Sequence, residues 1–360
     1  MSAVWTEPSP PATAAGLDVE RQARRSRQRL LAALAAMMLL LSLLGLAAGS
    51  QGLSWAALQS DLDGDQAALI LGQIRAPRTL GALGVGALLG LAGALAQGLF
   101  RNPLADPYLL GSASGAGLAV VLVLAAASVV GSEGSALSLA TAGWLQRLGL
   151  LGASFAGALG GVLLTLLLAG GARHTLRLLL AGVVVGVLLG AVADLLTTVS
   201  PEALRGKQVF MLGTTSLLGW QGVALLGAGL ALALPLALRF ARVLDALTLG
   251  EDSALSLGVA LPRLRLLLVV LLAFCTGLAV SQAGLVAFVG LVAPHLVRRF
   301  APAAHGFTLL ASAATGAVLL LASDVLARAL VAPQELPVGV LTAVLGGVYL
   351  LWLMHRQRLR

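Results

Sequence analysis

The chain is dominated by apolar runs that are each about as long as a bilayer is thick. Nine of them approach the roughly 20 residues that a helix needs to cross the hydrocarbon core. They lie near residues 30–49, 79–99, 110–130, 148–170, 177–199, 222–240, 264–283, 306–326 and 337–354. A tenth, near 285–299, is shorter and is broken by Pro294. These runs predict an all-α polytopic membrane protein with about ten transmembrane helices.

Composition supports this fold class. Of the 360 residues, 59% are hydrophobic and 11% are charged, and the mean hydropathy is +0.97. The 44 glycines are an excess of small residues that is typical of packed membrane helices. Gly182, Gly186 and Gly190, at four-residue spacing, are predicted to let helix backbones approach closely. Cys275 is the only cysteine, which excludes disulfides within the chain and cysteine-based metal clusters.

The distribution of positive charge predicts the orientation. With ten crossings and the N-terminus inside, 17 of the 23 lysines and arginines fall on the inner side. These are Arg21, Arg24, Arg25, Arg27, Arg29, Arg101, Arg173, Arg177, Arg239, Arg242, Arg263, Arg265, Arg298, Arg299, Arg356, Arg358 and Arg360. The outer residues are Arg75, Arg78, Arg147, Arg205, Lys207 and Arg328. Because cytoplasmic loops carry such an excess, both termini are predicted to be cytoplasmic.

The two polar ends of the chain are predicted to be cytoplasmic tails. Residues 1–29 are polar, proline-rich and then arginine-rich, and are expected to form a disordered cytoplasmic tail. The apolar run that follows is longer than a signal-peptide core, so it is expected to be a retained first helix. Residues 30–355 are predicted to form a single transmembrane domain, followed by a short cytoplasmic tail over 356–360.

Several chemistries have no motif in this chain. Gly206-Lys207 is followed by Gln208, so there is no phosphate-binding loop for ATP. The histidines are scattered over loops and ends without metal-ligand spacing, and no nucleophile–base pair indicates an enzyme. The formal charge of +8 is interpreted as membrane orientation, so nucleic acid is not an expected partner. We expect no catalytic residue, no metal site and no cofactor bound by this chain.

Two acidic residues bear on ion coupling. Asp194 and Asp324 lie near the predicted outer ends of their spans, where both interfacial and buried positions are open. A carrier driven by an ion gradient needs ionisable groups deep in the bilayer. Their scarcity disfavours such a carrier and indicates that the energy source lies in another subunit.

A dense polar turn at residues 101–107 interrupts the apolar runs with Asn102-Pro103 and Asp106-Pro107. With this turn, the chain resembles the FecCD/BtuC-type permeases, the membrane subunits of ABC importers for iron-siderophores, haem and cobalamin. The matching motifs occur in the family's order over roughly residues 30–355. They are Arg75–Arg78, Gln97–Pro107, Leu110-Gly111 with Ser114–Ala116, Leu249–Glu251, Leu257–Val259, Phe288–His295 with Arg298, Asp324 with Ala327-Arg328, and Glu335–Gly339.

The resemblance implies a set of partners. The chain would form a homodimer around a central path in the bacterial inner membrane and would contact membrane lipid. Two cytoplasmic ABC ATPases would bind ATP and magnesium, and a periplasmic or lipid-anchored binding protein would deliver the substrate. The loop at 241–262 would supply the helices that couple ATPase closure to opening of the path.

The resemblance also implies site residues. Asn102 with Leu104, and Thr175 with Leu176, would form two cytoplasmic gates. A turn that merely ends one helix and begins the next is the alternative for the first gate. The expected coupling residues are Gly250, Glu251, Asp252, Leu257 and Gly258. The expected binding-protein contacts are Arg75, Arg78 and Arg328, although interfacial snorkelling stays open for Arg78.

Two functions follow from different arguments. The first is the permease of an importer that moves a metal chelate or cobalamin inward by ATP-driven alternating access. The alternative is an ion-coupled secondary transporter that acts without an ATPase. The sequence does not distinguish a siderophore, haem or cobalamin as substrate.

Overall fold

The computed structural model describes residues 14–49, 52–53, 69–129, 144–172, 174–251, 256 and 260–358. The helices in this part of the chain are α1 (Ala14–Ala47), α2 (Ala76–Phe100), α3 (Ser112–Val129), α4 (Trp144–Ala169), α5 (Thr175–Val199), α6 (Pro201–Leu212), α7 (Trp220–Arg239), α8 (Ala241–Thr248), α9 (Leu261–Ala283), α10 (Val289–Phe300), α11 (His305–Ala329) and α12 (Val338–Arg358). A π-helical segment, Ile70–Arg75, leads directly into α2. Two-residue strands β1 (Ala48–Gly49) and β2 (Gly52–Leu53) pair antiparallel after α1.

The ten predicted spans are all helices, so the predicted fold class is confirmed. Within the described ranges, eight helices are long and apolar enough to cross a membrane. α3 is apolar over the shorter range Ser112–Ala127. α10 has only 12 residues and contains Pro294, as its short apolar run indicated. The short helices α6 and α8 were not among the predicted spans.

The expected tails are wrong in their extent. Residues 14–29 are not a disordered tail but the first turns of α1. The alanine, arginine, leucine and glutamine residues here favour helix, and no proline or glycine follows Gly16 until the bilayer-length run. At the other end, α12 continues to Arg358, so the helix includes most of the expected tail. Residues 1–13 lie outside the described ranges.

α2 is the central helix of the bundle, and nearly all of its residues are buried. Its glycines form the closest backbone contacts. Gly86 and Gly90 pack against the backbone of α11 at Gly316 and Ser312, and Gly93 packs against the carbonyl of Gly290 in α10. A side chain at any of these α2 positions would hold the helices apart, which is why small residues are concentrated here.

The bundle has a basic end, defined by contacts of Arg27, Arg101 and Arg298. Arg101 donates to the carbonyl of Leu247, and Arg298 hydrogen-bonds Gln97 near the end of α2. The Arg27 guanidinium lies 5.9 Å from the ring centre of Phe307, at the start of α11. α1 therefore begins at the same end at which α2 stops and α11 starts.

The segment from Gly284 to Phe300 runs from the opposite end to the basic end. Leu285 donates its N–H to Phe210 at the end of α6, at 2.8 Å, and Thr214 donates to Ala283, also at 2.8 Å. Arg298, by contrast, lies at the basic end beside Gln97. α10 therefore completes a crossing, which brings both termini of the described chain to the same end.

Candidate functional site

The polar turn between α2 and α3 is built from two consecutive Asx-proline turns. The Asn102 Oδ1 accepts the N–H of Leu104 at 2.9 Å, and the Asp106 Oδ1 accepts the N–H of Tyr108 at 2.8 Å. Pro103 and Pro107 fix the backbone between each acceptor and its donor. The four-residue repeat of Asx-Pro in the sequence thus produces a rigid, non-helical connection.

This connection is fixed at its base and exposed at its tip. The Tyr108 hydroxyl donates to the carbonyl of Val286 at 3.1 Å, and Pro107 is buried against Gly290 in α10. Asn102, Pro103 and Leu104 are exposed at the basic end, and Leu104 keeps 55% of its surface accessible. A shift of α10 would therefore be passed directly to an exposed apolar tip.

The second predicted gate lies at the start of α5. Thr175 is the first helical residue after the extended residue His174, and Leu176 is 70% exposed. About two turns further along, Gly182 packs against the carbonyl of Leu109 in the turn region. Both predicted gates thus present an exposed leucine, and the segments that carry them are joined through a backbone contact.

The carboxyl group in the second Asx turn is partly removed from water. Burial raises the pKa of Asp106 to about 6, against the lowering effect of the hydrogen bond from the Tyr108 N–H. Because the folded pKa lies above the ordinary value of 3.8, the protonated form is favoured in the folded state. This contribution to stability is complete below about pH 4 and is lost as the pH rises through about 6.

Asp106→Asn is expected to remove this pH dependence, because an amide Oδ1 still accepts from Tyr108 but does not titrate. As the pH rises from about 4.5 to 7, the thermal unfolding midpoint of the wild type in detergent should fall more than that of Asp106→Asn. A shift of this pKa corresponds to a stability change on the order of 1–3 kcal/mol. Parallel pH profiles for both proteins would contradict the assignment.

The predicted coupling loop begins with α8, whose buried side is formed by Ala241, Leu244 and Leu247. α8 packs against α2 and α11. The chain then turns at Gly250, where φ is +107° and a side chain would be strained. Just before this turn, Leu249 is 67% exposed. The loop therefore presents an apolar side chain at the basic end; Leu249 belongs to the Leu249–Glu251 motif but was not among the expected coupling residues.

The acidic part of the coupling loop has an internal partner. Glu251 forms an ion pair with Arg265, the fifth residue of α9, rather than standing free for a partner protein. Asp252, Leu257 and Gly258 lie outside the described residues. A second acidic group, Asp245 in α8, accepts from the backbone N–H of His305 at 2.9 Å and contacts its imidazole Nδ1 at 2.7 Å. These two contacts connect the loop to α9 and to α11.

At the opposite end, Asp324 lies fully buried between two arginines. Its Oδ1 accepts from the Arg78 Nε at 3.0 Å and from the Thr215 hydroxyl, and its Oδ2 accepts from Arg328. The Arg78 Nη1 also donates to both carboxylate oxygens of Glu335, at 2.9 Å each. We call Arg78, Asp324, Arg328 and Glu335 the outer ion cluster. Its two positive and two negative groups balance, so it carries no net charge.

Two arginines at this end, Arg75 and Arg328, also donate hydrogen bonds to the last carbonyls of α1. Arg328 donates to the carbonyls of Gly45 and Ala48, at 2.8 and 3.1 Å, and Arg75 donates to that of Leu46 at 3.2 Å. These carbonyls have no helical partner beyond the last turn, and cationic donors suit that end of a helix.

The three arginines predicted to contact a binding protein are therefore buried and have internal partners. Of the two positions open for Asp324, the buried one is correct. Asp194 is exposed and pairs with Lys207.

The turn, the loop and the outer ion cluster all lie in a region that known proteins share. The sequence profile of the FecCD transport family matches residues 37–356. The chain belongs to the FecCD transport family. The matched range includes the turn at 101–107, both predicted gates, the coupling loop and the outer ion cluster.

Known FecCD relatives are similar over nearly their whole length. The hemin transport system permease protein HmuU of Yersinia pestis is 38% identical over 327 residues, covering 89% of this chain and 95% of the relative. The vitamin B12 import system permease protein BtuC of Salmonella paratyphi A is 39% identical over 344 residues, covering 95% and 99%.

A solved structure extends the match to three dimensions. It is described as the inward-facing conformation of a metal-chelate type ABC transporter, and it superposes with a TM-score of 0.78 at 26% identity. The match covers 91% of this chain and 99% of that one. This FecCD chain therefore has the fold of a BtuC-like ABC transporter permease.

Of the three regularly spaced glycines of α5 in this FecCD protein, only the first packs closely against another segment of the same chain. Gly182 is in close backbone contact, and a Cβ on Gly186 would lie 3.6 Å from the Ser114 hydroxyl. A Cβ on Gly190 would have no described atom within 4 Å. The same helix exposes Val183, Val187 and other apolar side chains. Much of α5 is thus available to lipid or to another subunit.

Metal-binding side chains do not converge in the described part of this FecCD protein. No group of three or more histidine, cysteine, aspartate or glutamate residues there could hold a metal ion. Cys275 is fully buried within α9. The polar features of the described chain are thus a turn, a loop and an ion cluster at the two ends of an apolar bundle.

Proposed function

We propose that this chain is the permease subunit of an ABC importer that moves a metal chelate, such as an iron-siderophore or haem, or cobalamin into the cytoplasm. The observation that carries this proposal is the full-length similarity to the permeases HmuU and BtuC. Their names assign transport of hemin and import of vitamin B12 to those proteins. The same fold over nearly the whole chain supports the same type of role here.

The energy source is a pair of separate ATPases, which bind ATP and magnesium themselves. The sequence of this chain has no phosphate-binding loop. The exposed Leu249, at the bend that follows α8, supports docking of the ATPases at this loop. α8 contacts α2 and α11, and Glu251 contacts α9, so a push on the loop would reach helices of the central bundle.

Two copies of the chain enclose the transport path, with α5 and the two gate segments facing it. The exposed apolar side chains of Leu104 and Leu176 support this placement, because apolar constrictions exclude water and polar solutes. The basic end faces the cytoplasm, where an excess of arginine is expected. Both termini then lie inside the cell, in the inner membrane of a bacterium.

The substrate-binding protein would dock at the opposite end. A role for Arg75, Arg78 and Arg328 in this docking stays a prediction, and their burial means that they would act through the outer ion cluster. Glu335 is its most accessible acidic member, with 38% of its side chain exposed. An incoming carboxylate would therefore have to replace Glu335 at Arg78 to pair with that arginine.

Asn102→Ala is expected to uncouple ATP hydrolysis from uptake, because it removes the acceptor that holds the Leu104 N–H. Uptake per ATP hydrolysed should fall severalfold, while the yield of folded complex stays close to that of the wild type. Asn102→Asp is the matched control, since its carboxylate keeps the Oδ1 acceptor and the Asx-proline turn. Equal coupling ratios for the alanine and aspartate variants would reduce the segment to a simple turn.

Leu249→Ser is expected to weaken association with the ATPase subunits. Loss of one buried leucine contact corresponds to about 1.5–3 kcal/mol, or roughly a tenfold or greater loss of affinity. Binding of the purified ATPase to permease in nanodiscs measures this directly. Leu330→Ser is the control, because Leu330 is similarly exposed, at 59%, but lies at the opposite end. Unchanged affinity for Leu249→Ser would place the docking surface elsewhere.

The substrate can be identified in cells. Deletion of the gene for this chain should abolish accumulation of one of three labelled compounds, namely haem, a ferric siderophore or cobalamin. Re-expression of the wild-type chain should restore it. Normal accumulation of all three compounds in the deletion strain would contradict the proposed substrate class.

A further inference from the structure

One face of α1 changes from basic to apolar along its length. Arg21, Arg25 and Arg29 are spaced by four residues, so they lie on the same face of the helix. The face continues through Ala33 and Met37 into the hydrocarbon-length part of α1. Arg29 therefore lies at the boundary of the apolar run, and Arg21 lies about 12 Å further along the helix axis.

This face borders a groove of about 800 Å³ between α1 and the end of α10. The three arginines line one side of the groove, and Leu30, Ala33 and Phe300 supply apolar lining. Phe300, the last residue of α10, is 61% exposed. No carboxylate is among the residues that line the groove, and none of the ion pairs in the described part of the chain includes these three arginines.

Three like charges one turn apart repel each other, so an anion between them would stabilise this arrangement. The position of the apolar lining indicates which anion. A phospholipid places its phosphate at the hydrocarbon boundary and its acyl chains beside apolar side chains. Arg25 and Arg29 lie at that boundary, and Met37, which is 47% exposed, continues the apolar side of the face.

We propose that the groove formed by Arg21, Arg25, Arg29 and Phe300 binds an anionic phospholipid. The phosphate lies between Arg25 and Arg29, the polar headgroup extends towards Arg21, and an acyl chain packs along Leu30, Ala33 and Phe300. Basic pockets beside transmembrane helices bind anionic headgroups by this combination of charge and apolar contact. Because α1 packs on α11 and α2, such a lipid would stabilise the periphery of the bundle at its basic end.

The test compares binding of phosphatidylglycerol and phosphatidylcholine with identical acyl chains to the purified full-length chain, by native mass spectrometry. Arg25→Gln/Arg29→Gln is expected to bind phosphatidylglycerol roughly thirtyfold more weakly, at about fivefold for each arginine lost. Arg24→Gln/Arg239→Gln is the matched control, since it removes two exposed arginines that do not line the groove. Its binding should change less than threefold.

Phe300→Ser provides a second, independent arm. It should weaken binding of phosphatidylglycerol by about tenfold, because it removes apolar contact with the acyl chain. Equal binding of phosphatidylglycerol by the wild type and Arg25→Gln/Arg29→Gln would overturn the proposal. An equal loss of phosphatidylglycerol binding in Arg24→Gln/Arg239→Gln would also overturn it. So would displacement of the lipid by millimolar inorganic phosphate together with unchanged lipid binding by Phe300→Ser. Loss of ATPase association with unchanged lipid binding would assign this face to a protein partner and would equally overturn it.

Discussion

Asp324→Ala is expected to destabilise the folded chain by about 3–5 kcal/mol, because it leaves two buried arginines without their shared counter-charge. Asp324 is fully buried and contacts both Arg78 and Arg328. Removal of one member of a buried pair costs far more than the net value of that pair, since the remaining charge stays desolvated. The effect should appear as a large loss of stability in denaturant titration of the purified chain in detergent.

Asp194→Ala is the matched control for this experiment. Asp194 also forms an ion pair, with Lys207, but 73% of its side chain is exposed. Exposed pairs contribute about 0–1 kcal/mol, so this variant should unfold almost as the wild type does. If Asp324→Ala lost no more unfolding free energy than Asp194→Ala, the outer ion cluster would not be a closed, desolvated unit.

Gly93→Ala is expected to have a comparable effect through packing. A Cβ at this position would overlap the carbonyl oxygen of Gly290, and neither helix backbone can give way cheaply. α2 and α10 would have to separate, at an expected cost of about 3 kcal/mol or more. The yield of monodisperse protein after detergent extraction, and its thermal unfolding midpoint, should both fall.

The control for Gly93→Ala is Gly227→Ala in α7. No described atom lies within 4 Å of a Cβ built there, so only the higher helix propensity of alanine should change the stability of the protein. The control should therefore be neutral or slightly stabilising. A Gly93→Ala protein as stable as Gly227→Ala would contradict close backbone packing of α2 against α10.

The fold was predictable because bilayer thickness imposes one length scale on every crossing. Each apolar run became a helix, including the short one broken by Pro294. The short helix α6 was missed because its 12 residues are too few, and its first half too polar, for a hydropathy search to detect it. Its start is nonetheless visible as Ser200-Pro201-Glu202, with the Ser200 hydroxyl accepting from the N–H of Ala203.

The site was less predictable, because hydropathy does not reveal which polar residues meet. Arg78 and Asp324 are 246 residues apart in sequence, and only the packing of α2 against α11 brings them together. Arg75 and Arg328 could be counted in advance as outer arginines, but not recognised as donors to the last carbonyls of α1. By contrast, the rigidity of the 101–107 turn follows from local chemistry, since each Asx acceptor and its donor are two residues apart.

Separate ATPases are expected to drive inward movement of the substrate through this chain. The most direct measurement is uptake of haem, a ferric siderophore and cobalamin into proteoliposomes that contain this chain, its ATPase and its binding protein. The expected result is accumulation of one compound that requires ATP and is unaffected by collapse of the proton gradient. Uptake that survives without ATP and stops when the gradient is collapsed would instead establish an ion-coupled transporter and contradict the account.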